Sequence, residues 1–331
     1  MRASRTAVLV CQGRAAADGR LAPGRFTDPT AAPMLRPDER VAVDRVRAGA
    51  APPGWRARVD YESVRACAEL MAPRTVAVDD AVRERPGPQV VILGAGLDGR
   101  AWRMPELAGA AVFEVDQPAS QRDKRDRAGA LPGALPGAPP RFVPVDFGRD
   151  RLGEALAAAG HRADTPTTWV WEGVVPYLTR AQVATTLEAV AARSAPGSRL
   201  VVNYQTPAVT TTLGRLLARV LAATTGRSSV WADEPWRSTW TPAAMAALLT
   251  RTGFTVTRTE HLLDTARRLG TPTHHPAPSA TATSPPPTTP DPASPSPPFP
   301  HPSAPPRSCS CGPVEARFVR DARAESPRST R

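Results

Sequence analysis

Pro88-Gln-Val-Val-Ile-Leu-Gly-Ala-Gly-Leu-Asp-Gly-Arg100, read on to Val112-Phe-Glu-Val-Asp-Gln-Pro118, decides the fold. Val90 to Leu93 is an apolar, β-rich run, short enough for one strand of a parallel sheet covered on both faces. Gly94, Gly96 and Gly99 follow it directly as G-x-G-x-x-G. Glycines there let the backbone turn sharply and approach a ligand, with helix N–H groups facing that ligand. Asp116 ends the next apolar run, twenty residues after Gly96. A carboxylate at that place accepts hydrogen bonds from two ribose hydroxyls. The stretch therefore reads as strand, glycine turn, helix start and second strand, built for a cofactor that contains a nucleoside.

The same alternation continues outward. Strands are predicted at 90–93, 111–115, 141–145, 168–171 and 199–204, and helices at 98–107, 119–130, 151–159 and 180–193. Short loops between them mean an α/β fold with a doubly wound, mostly parallel, Rossmann-like sheet. A further helix is predicted at 209–223, then a polar, Trp-rich loop over 228–240. Thr241 as N-cap and Pro242 at the first helical position start another helix. Residues 253–262 alternate as a sixth strand. Ahead of the sheet, residues 1–87 show helical patterns at 3–20, 38–49 and 58–85, with Pro73 expected to kink or break the last. A turn and a short apolar helix are expected between Phe26 and Leu35. This front portion reads as a helical cap within the same domain as the sheet of residues 88–270.

Residues 271–331 differ in kind. His274 to Pro306 is mostly Pro, Ser, Thr and Ala without hydrophobic periodicity, so it cannot offset its ordering entropy by burial and is expected to be disordered or polyproline-like. A short strand over Val314 to Val319 is the one exception considered. Such a tail can also serve as a ligand for SH3-type modules, which gives one alternative function, a non-catalytic adaptor.

Composition excludes several classes. No run of about 18 apolar residues exists, so no membrane span is expected, and Val8 to Cys11 is too short for a secretory h-region. A cytoplasmic location is the expectation. Four cysteines make no disulfide framework, and the one-residue spacing of Cys309 and Cys311, with no second pair, does not read as a metal site. The net charge of +11 is nearly all arginine, Lys124 being the only lysine. It is interleaved with acids, as in Arg122-Asp-Lys-Arg-Asp-Arg127, which reads as a solvated helix face rather than a nucleic-acid track.

The other strand ends carry candidate ligands, because open α/β sheets bind outside the carboxyl ends of their strands. Asp146 and Phe147 follow strand three, where an acid can accept from an adenine amino group and an aromatic ring can cover the base. Glu172 follows strand four. It is costly to bury without a partner, which favours a role there. Tyr177 reads as a packing residue. Arg74 can clamp a carboxylate with its fork. NAD and S-adenosylmethionine both fit the glycine turn and Asp116, so an NAD(P)-dependent oxidoreductase stays open as a second alternative. It would need a hydride-site pair, and no Tyr-x-x-x-Lys is present.

Arg74-Thr with Asp79-Asp80, Val91 to Asp98, Phe113 to Pro118 with Lys124, Val145-Asp-Phe147 and Trp171-Glu-Gly-Val-Val-Pro-Tyr-Leu178 together resemble the leucine carboxyl methyltransferase-like family. The likeness runs in order over roughly residues 4–262. It implies a class I S-adenosylmethionine-dependent methyltransferase that modifies an oxygen or carboxyl group of a small molecule. It further implies that Arg74 binds the methionine carboxylate, and that the Gly94 to Gly96 turn lies against the methionine part. Asp116 then takes the ribose, Asp146 and Phe147 the adenine, and Glu172 lies near the methionine end. Two departures stand out. Gln12 follows Cys11 where eukaryotic members have a lysine, and the proline-rich segment interrupts the closing pair of strands. None of the five histidines falls at the end of strands one to five, which favours an acceptor that is already ionised, or catalysis by alignment alone.

Overall fold

Period-two alternation sorts the sheet's side chains into two cores. Val90 and Ile92 of β1 (Gln89–Leu93), Val112 of β2 (Ala111–Asp116), Val170 of β4 (Thr167–Trp171) and Val201 of β5 (Arg199–Gln205) face one side. Their neighbours Val91, Leu93, Phe113, Val115, Trp169, Trp171, Leu200 and Val202 face the other. A strand buried on both faces has no polar side, and this is why these segments read as continuous apolar runs. The computed structural model describes residues 4–207 and 237–272 and the backbone of residues 311–318. The expected helix at 209–223, most of the loop at 228–240, the low-complexity run at 274–306 and Cys309 lie outside the described residues.

The sheet has seven strands in the order β3-β2-β1-β4-β5-β7-β6, with β3 at Arg141–Pro144, β6 at Phe254–Thr259 and β7 at Cys311–Phe318. Strands β1 to β5 are parallel, and β7 is antiparallel to both β5 and β6. The order reverses between β1 and β4, so the crevice of a doubly wound sheet opens above their carboxyl ends.

The first face is covered by α1 (Arg5–Ala17), α2 (Pro37–Ala48) and α3 (Trp55–Glu84). Ser4 caps α1, its hydroxyl accepting from the Ala7 N–H. Gly49 ends α2 in the left-handed region with φ 66°. The α3 helix runs unbroken through Pro73, so of the kink or break expected there the break does not occur. Pro73 is buried within the helix, and α1 packs closely along α3. The second face is covered by α6 (Leu152–Ala158), α7 (Arg180–Ala192) and α8 (Pro242–Arg251), through Leu156, Leu187, Val190, Met245 and Leu249. Thr241 caps α8 as expected, accepting from the Ala244 N–H at 3.1 Å. The remaining helices are α4 (Arg100–Arg103), α5 (Pro118–Ala128) and α9 (Leu262–Arg268).

Three expectations need correction. The helix predicted at 98–107 is only the single turn α4 followed by a 3-10 turn at Pro105–Leu107. Pro105 supplies no N–H and forces Met104 into an extended conformation. The short helix expected before Leu35 is a string of turns between Asp28 and Leu35, punctuated by Pro29 and Pro33. The tail is not wholly structureless, since residues 311–318 form β7 in the middle of the antiparallel half of the sheet. Two flanking strands satisfy its backbone, and that compensation cannot be read from its own short sequence.

Candidate active site

The glycine turn is fixed by the strand beside it. The Gly94 and Ala95 N–H groups donate to the Val115 carbonyl at 2.7 and 3.0 Å. The Gly96 N–H donates to Asp116 Oδ2 at 2.6 Å, and the Gln117 N–H to Asp116 Oδ1 at 2.7 Å. One carboxylate thus ties the turn after β1 to the end of β2. Gly94 has φ 66° and Gly96 φ 47°, a region that L side chains rarely adopt. A Cβ on Gly94 would run into Val174, and one on Gly96 would lie 3.2 Å from Ala7 Cβ. The third glycine differs. Gly99 has φ −110° and caps α4, and it is needed because Thr30 packs against it.

The end of β3 sits beside the end of β2, with the Val145 N–H donating to the Asp116 carbonyl at 2.8 Å. Asp146 does not cap the next helix. Its Oδ1 accepts from the Gly148 N–H at 2.8 Å, while its own N–H donates to Asp150. Phe147 is half-buried against the second core.

Arg74 and Glu172, 98 residues apart in sequence, meet. Arg74 Nε donates to Glu172 Oε1 at 2.6 Å, and both side chains are nearly buried. The two terminal nitrogens of Arg74 donate no hydrogen bond among the described residues. They lie 3.7 and 3.8 Å from where a Cβ on Gly173 would be, so the absence of a side chain there keeps space at the fork.

Sequence reasoning missed the charges behind this pair. Arg100 Nη2 lies 2.8 Å from Glu172 Oε2, its Nε donates to Asp79 Oδ1 at 2.7 Å, and its Nη1 pairs with Asp98. Arg103 holds the same Asp79 with two nitrogens at 2.7 and 3.0 Å. Arg14 of α1 pairs with Asp28 at 3.4 Å and donates to the Leu97 carbonyl. Burial alone would raise the Glu172 and Asp98 carboxyls. The cations outweigh it, chiefly Arg100 then Arg74 at Glu172, and Arg100 then Arg14 at Asp98, and both acids are held below the ordinary carboxylate range. A signal existed in sequence: Asp79 lies on the apolar face of α3 with Thr75 and Val82, where an acid must have a partner.

Lys124 is the opposite of the solvated residue its neighbours suggest. It is 1% exposed, with Nζ 2.5 Å from Glu114 Oε2 and 5.3 Å from the centroid of the Trp102 ring. Gln12 ties α1 to α2 by donating to the Glu39 carbonyl at 2.7 Å. Burial raises the thiols of Cys11 and Cys67 to about 11, so neither is a nucleophile at neutral pH. His161 precedes β4 at the opposite end of the strands, where its Nε2 meets Thr167 Oγ1 at 3.0 Å. Tyr177 is half-buried in a 3-10 turn.

A protein of Mycolicibacterium vanbaalenii, named "Putative S-adenosyl-L-methionine-dependent methyltransferase", is 37% identical over 202 residues, which cover 60% of this chain and 65% of that one. A protein of the same name from Mycobacterium avium is 45% identical over 118 residues, 35% of this chain and 36% of that one. The chain thus spans less than two thirds of the length of these relatives. Among solved structures, magnesium protoporphyrin IX methyltransferase from Synechocystis PCC 6803 with bound SAH aligns with 14% identity and a TM-score of 0.43, over 76% of this chain and 87% of that one. The family model for leucine carboxyl methyltransferase matches residues 7–191, a span that holds the cap, the glycine turn and every candidate ligand from Arg74 to Glu172, and the chain belongs to that family.

Proposed function

We propose that the protein is an S-adenosylmethionine-dependent methyltransferase acting on an oxygen, in particular a carboxylate, of a small molecule. The observation that carries this reading is the pairing of Arg74 with Glu172 beside the glycine turn. An open guanidinium fork and a carboxylate kept ionised suit the two charges of an amino-acid group. A dinucleotide presents phosphates to its turn instead and has no use for the acid. The other residues fit the rest of the cofactor. Gly94 and Gly96 leave the turn bare of side chains, Asp116 takes the ribose hydroxyls, and Asp146 and Phe147 take the adenine.

The sulfonium supplies a methyl group already activated for transfer. The chain's own part is to hold the donor, exclude water and align the acceptor oxygen. No histidine among the described residues stands at the ends of β1 to β5, and Glu172 is committed to two arginines. A carboxylate acceptor needs no proton removed at pH 7, which is why it is the acceptor favoured here.

Calorimetric titration with S-adenosylhomocysteine and with NADH tests the cofactor. Binding of the first and not the second is expected, and the reverse would overturn the reading. Transfer of radiolabelled methyl into a small-metabolite extract then tests the acceptor: product lost under mild base marks an ester, and base-stable product rules the carboxylate out.

A further inference from the structure

Arg100 occupies a position that neither the glycine motif nor the strand ends single out. It is 2% exposed, and its guanidinium meets three carboxylates from three different elements. Asp98 belongs to the glycine turn, Asp79 to α3 and Glu172 to the end of β4. Its backbone N–H also donates to Asp98 Oδ1 at 2.7 Å. Arg103 takes the other side of Asp79, so the support behind Arg100 is itself held from two directions. Glu172 therefore has a guanidinium at each oxygen, Arg100 Nη2 as an ion pair 2.8 Å from Oε2 and Arg74 Nε as a hydrogen-bond donor to Oε1.

We propose that Arg100 is the positioning residue of this site: by fixing Glu172 at the end of β4 it presents that carboxylate to a ligand cation and frees the terminal nitrogens of Arg74 for a ligand carboxylate. This rests on the methyltransferase reading for the identity of the ligand, and on geometry alone for the link between Arg100 and Glu172. Without Arg100 the Glu172 carboxylate has, among the described residues, only Arg74 as a direct partner. It then closes on the Arg74 fork, in the way carboxylates pair bidentately with guanidinium, and both groups are lost to the ligand.

The groups that face Glu172 are Arg100 from α4, Arg74 from α3, Asp98 from the glycine turn and Arg14 from α1. Removing Arg100 takes away the strongest cation among them, so the carboxyl titrates at higher pH. The test follows the carboxyl signal of Glu172 by NMR in protein labelled with 13C-glutamate, assigned by its loss in E172Q. The same samples are titrated with S-adenosylhomocysteine between pH 5 and 9. In R100Q the Glu172 titration is expected to move up by about one unit or more. Affinity for S-adenosylhomocysteine is expected to fall on the order of ten- to a hundredfold, and more steeply at the acid end. R100K keeps the charge and is expected to restore the titration but only part of the affinity, because one ammonium cannot hold three carboxylates. In the E172Q background, R100Q is expected to add little further loss.

An unmoved Glu172 titration in R100Q, or an equal loss of affinity in the presence and absence of Glu172, would overturn the proposal. Should R100Q fail to fold, R100K decides: wild-type affinity at every pH overturns it. Should the wild type bind no S-adenosylhomocysteine while the Glu172 titration still responds to Arg100, the methyltransferase reading falls and the positioning role stands.

Discussion

A methyl group on Gly94 would meet Val174 in a backbone region that costs an L residue about 1–2 kcal/mol before any clash is counted. Gly94→Ala is therefore expected to lower stability by at least that amount in a denaturant titration, whereas Gly109→Ala, with open space around it, is expected to change it little. Asp116 closes the turn by accepting from the Gly96 and Gln117 N–H groups, and in the proposed reading it also takes the ribose. Asp116→Ala is expected to weaken S-adenosylhomocysteine binding by at least roughly tenfold, because charge-assisted hydrogen bonds are lost. The Lys124–Glu114 pair is a structural counterpart. Burial pushes Glu114 up to about 7 against the pull of Lys124. Lys124→Met leaves that acid buried and alone, and a loss of about 3–5 kcal/mol is expected in urea unfolding. Glu114→Gln in the same chain should recover part of it. At this scale the sequence was informative where chemistry is local. Gly94, Gly96, Asp116 and Glu172 sit at strand ends that can be counted off. Lys124 was misread because its neighbours in sequence are charged, while its neighbours in space are Glu114 and Trp102.

Among the elements, the parallel strands needed little help from tertiary structure, since each is a short apolar run between turns. The element that sequence left open is β7. It lies between β5 and β6 and supplies the backbone partners of both, from Arg199↔Arg317 to Gln205↔Cys311 on one side and from Phe254↔Phe318 to Thr259↔Val314 on the other. Ala316→Pro removes a backbone donor opposite Leu200 and Val256, and a loss of about 3 kcal/mol or more is expected. Truncation after Pro272 removes the whole strand and exposes two edges, so it is expected to give an aggregating product in size-exclusion chromatography. Replacing residues 276–305 with a Gly/Ser segment of equal length should leave the melting temperature within a degree or two of wild type. An equal loss in both variants would show that the composition of the segment, and not β7, matters. The helix at 98–107 failed for a local reason, Pro105, that can be read in advance.

For the whole molecule, the pH dependence of stability has an identifiable source. Burial, then the Arg193 cation, push His161 down to about 4 from its ordinary 6.5. Its folded value lies below its unfolded one, so on acidification the unfolded chain takes up the proton first. The contribution is complete above about pH 6.5 and is lost as the pH falls toward about 4. His161→Gln is expected to flatten that limb of a plot of melting temperature against pH. The buried acids Asp79, Asp98 and Glu172 are depressed, so their contribution is also present at neutral pH and lost on acidification, at still lower pH. A ligand of the folded state adds to stability by mass action. S-adenosylhomocysteine at a hundred times its Kd is expected to contribute about 2.7 kcal/mol, seen as a rise in melting temperature, and NADH none.

The sequence by itself determined the parallel sheet, the glycine turn and the acids at the strand ends. These depend on period-two burial, on glycine's access to positive φ and on short-range order along the chain, all of which are local. Only the tertiary structure decided which charges meet. Arg74 and Glu172 are brought together by the packing of α3 across the sheet, and Arg100, at the start of α4, reaches Asp79 of α3, Asp98 of the glycine turn and Glu172 after β4. In a chain with 42 basic and 31 acidic side chains, composition offers many pairings. Burial selects among them, since a charge taken from water must find its partner within hydrogen-bonding distance.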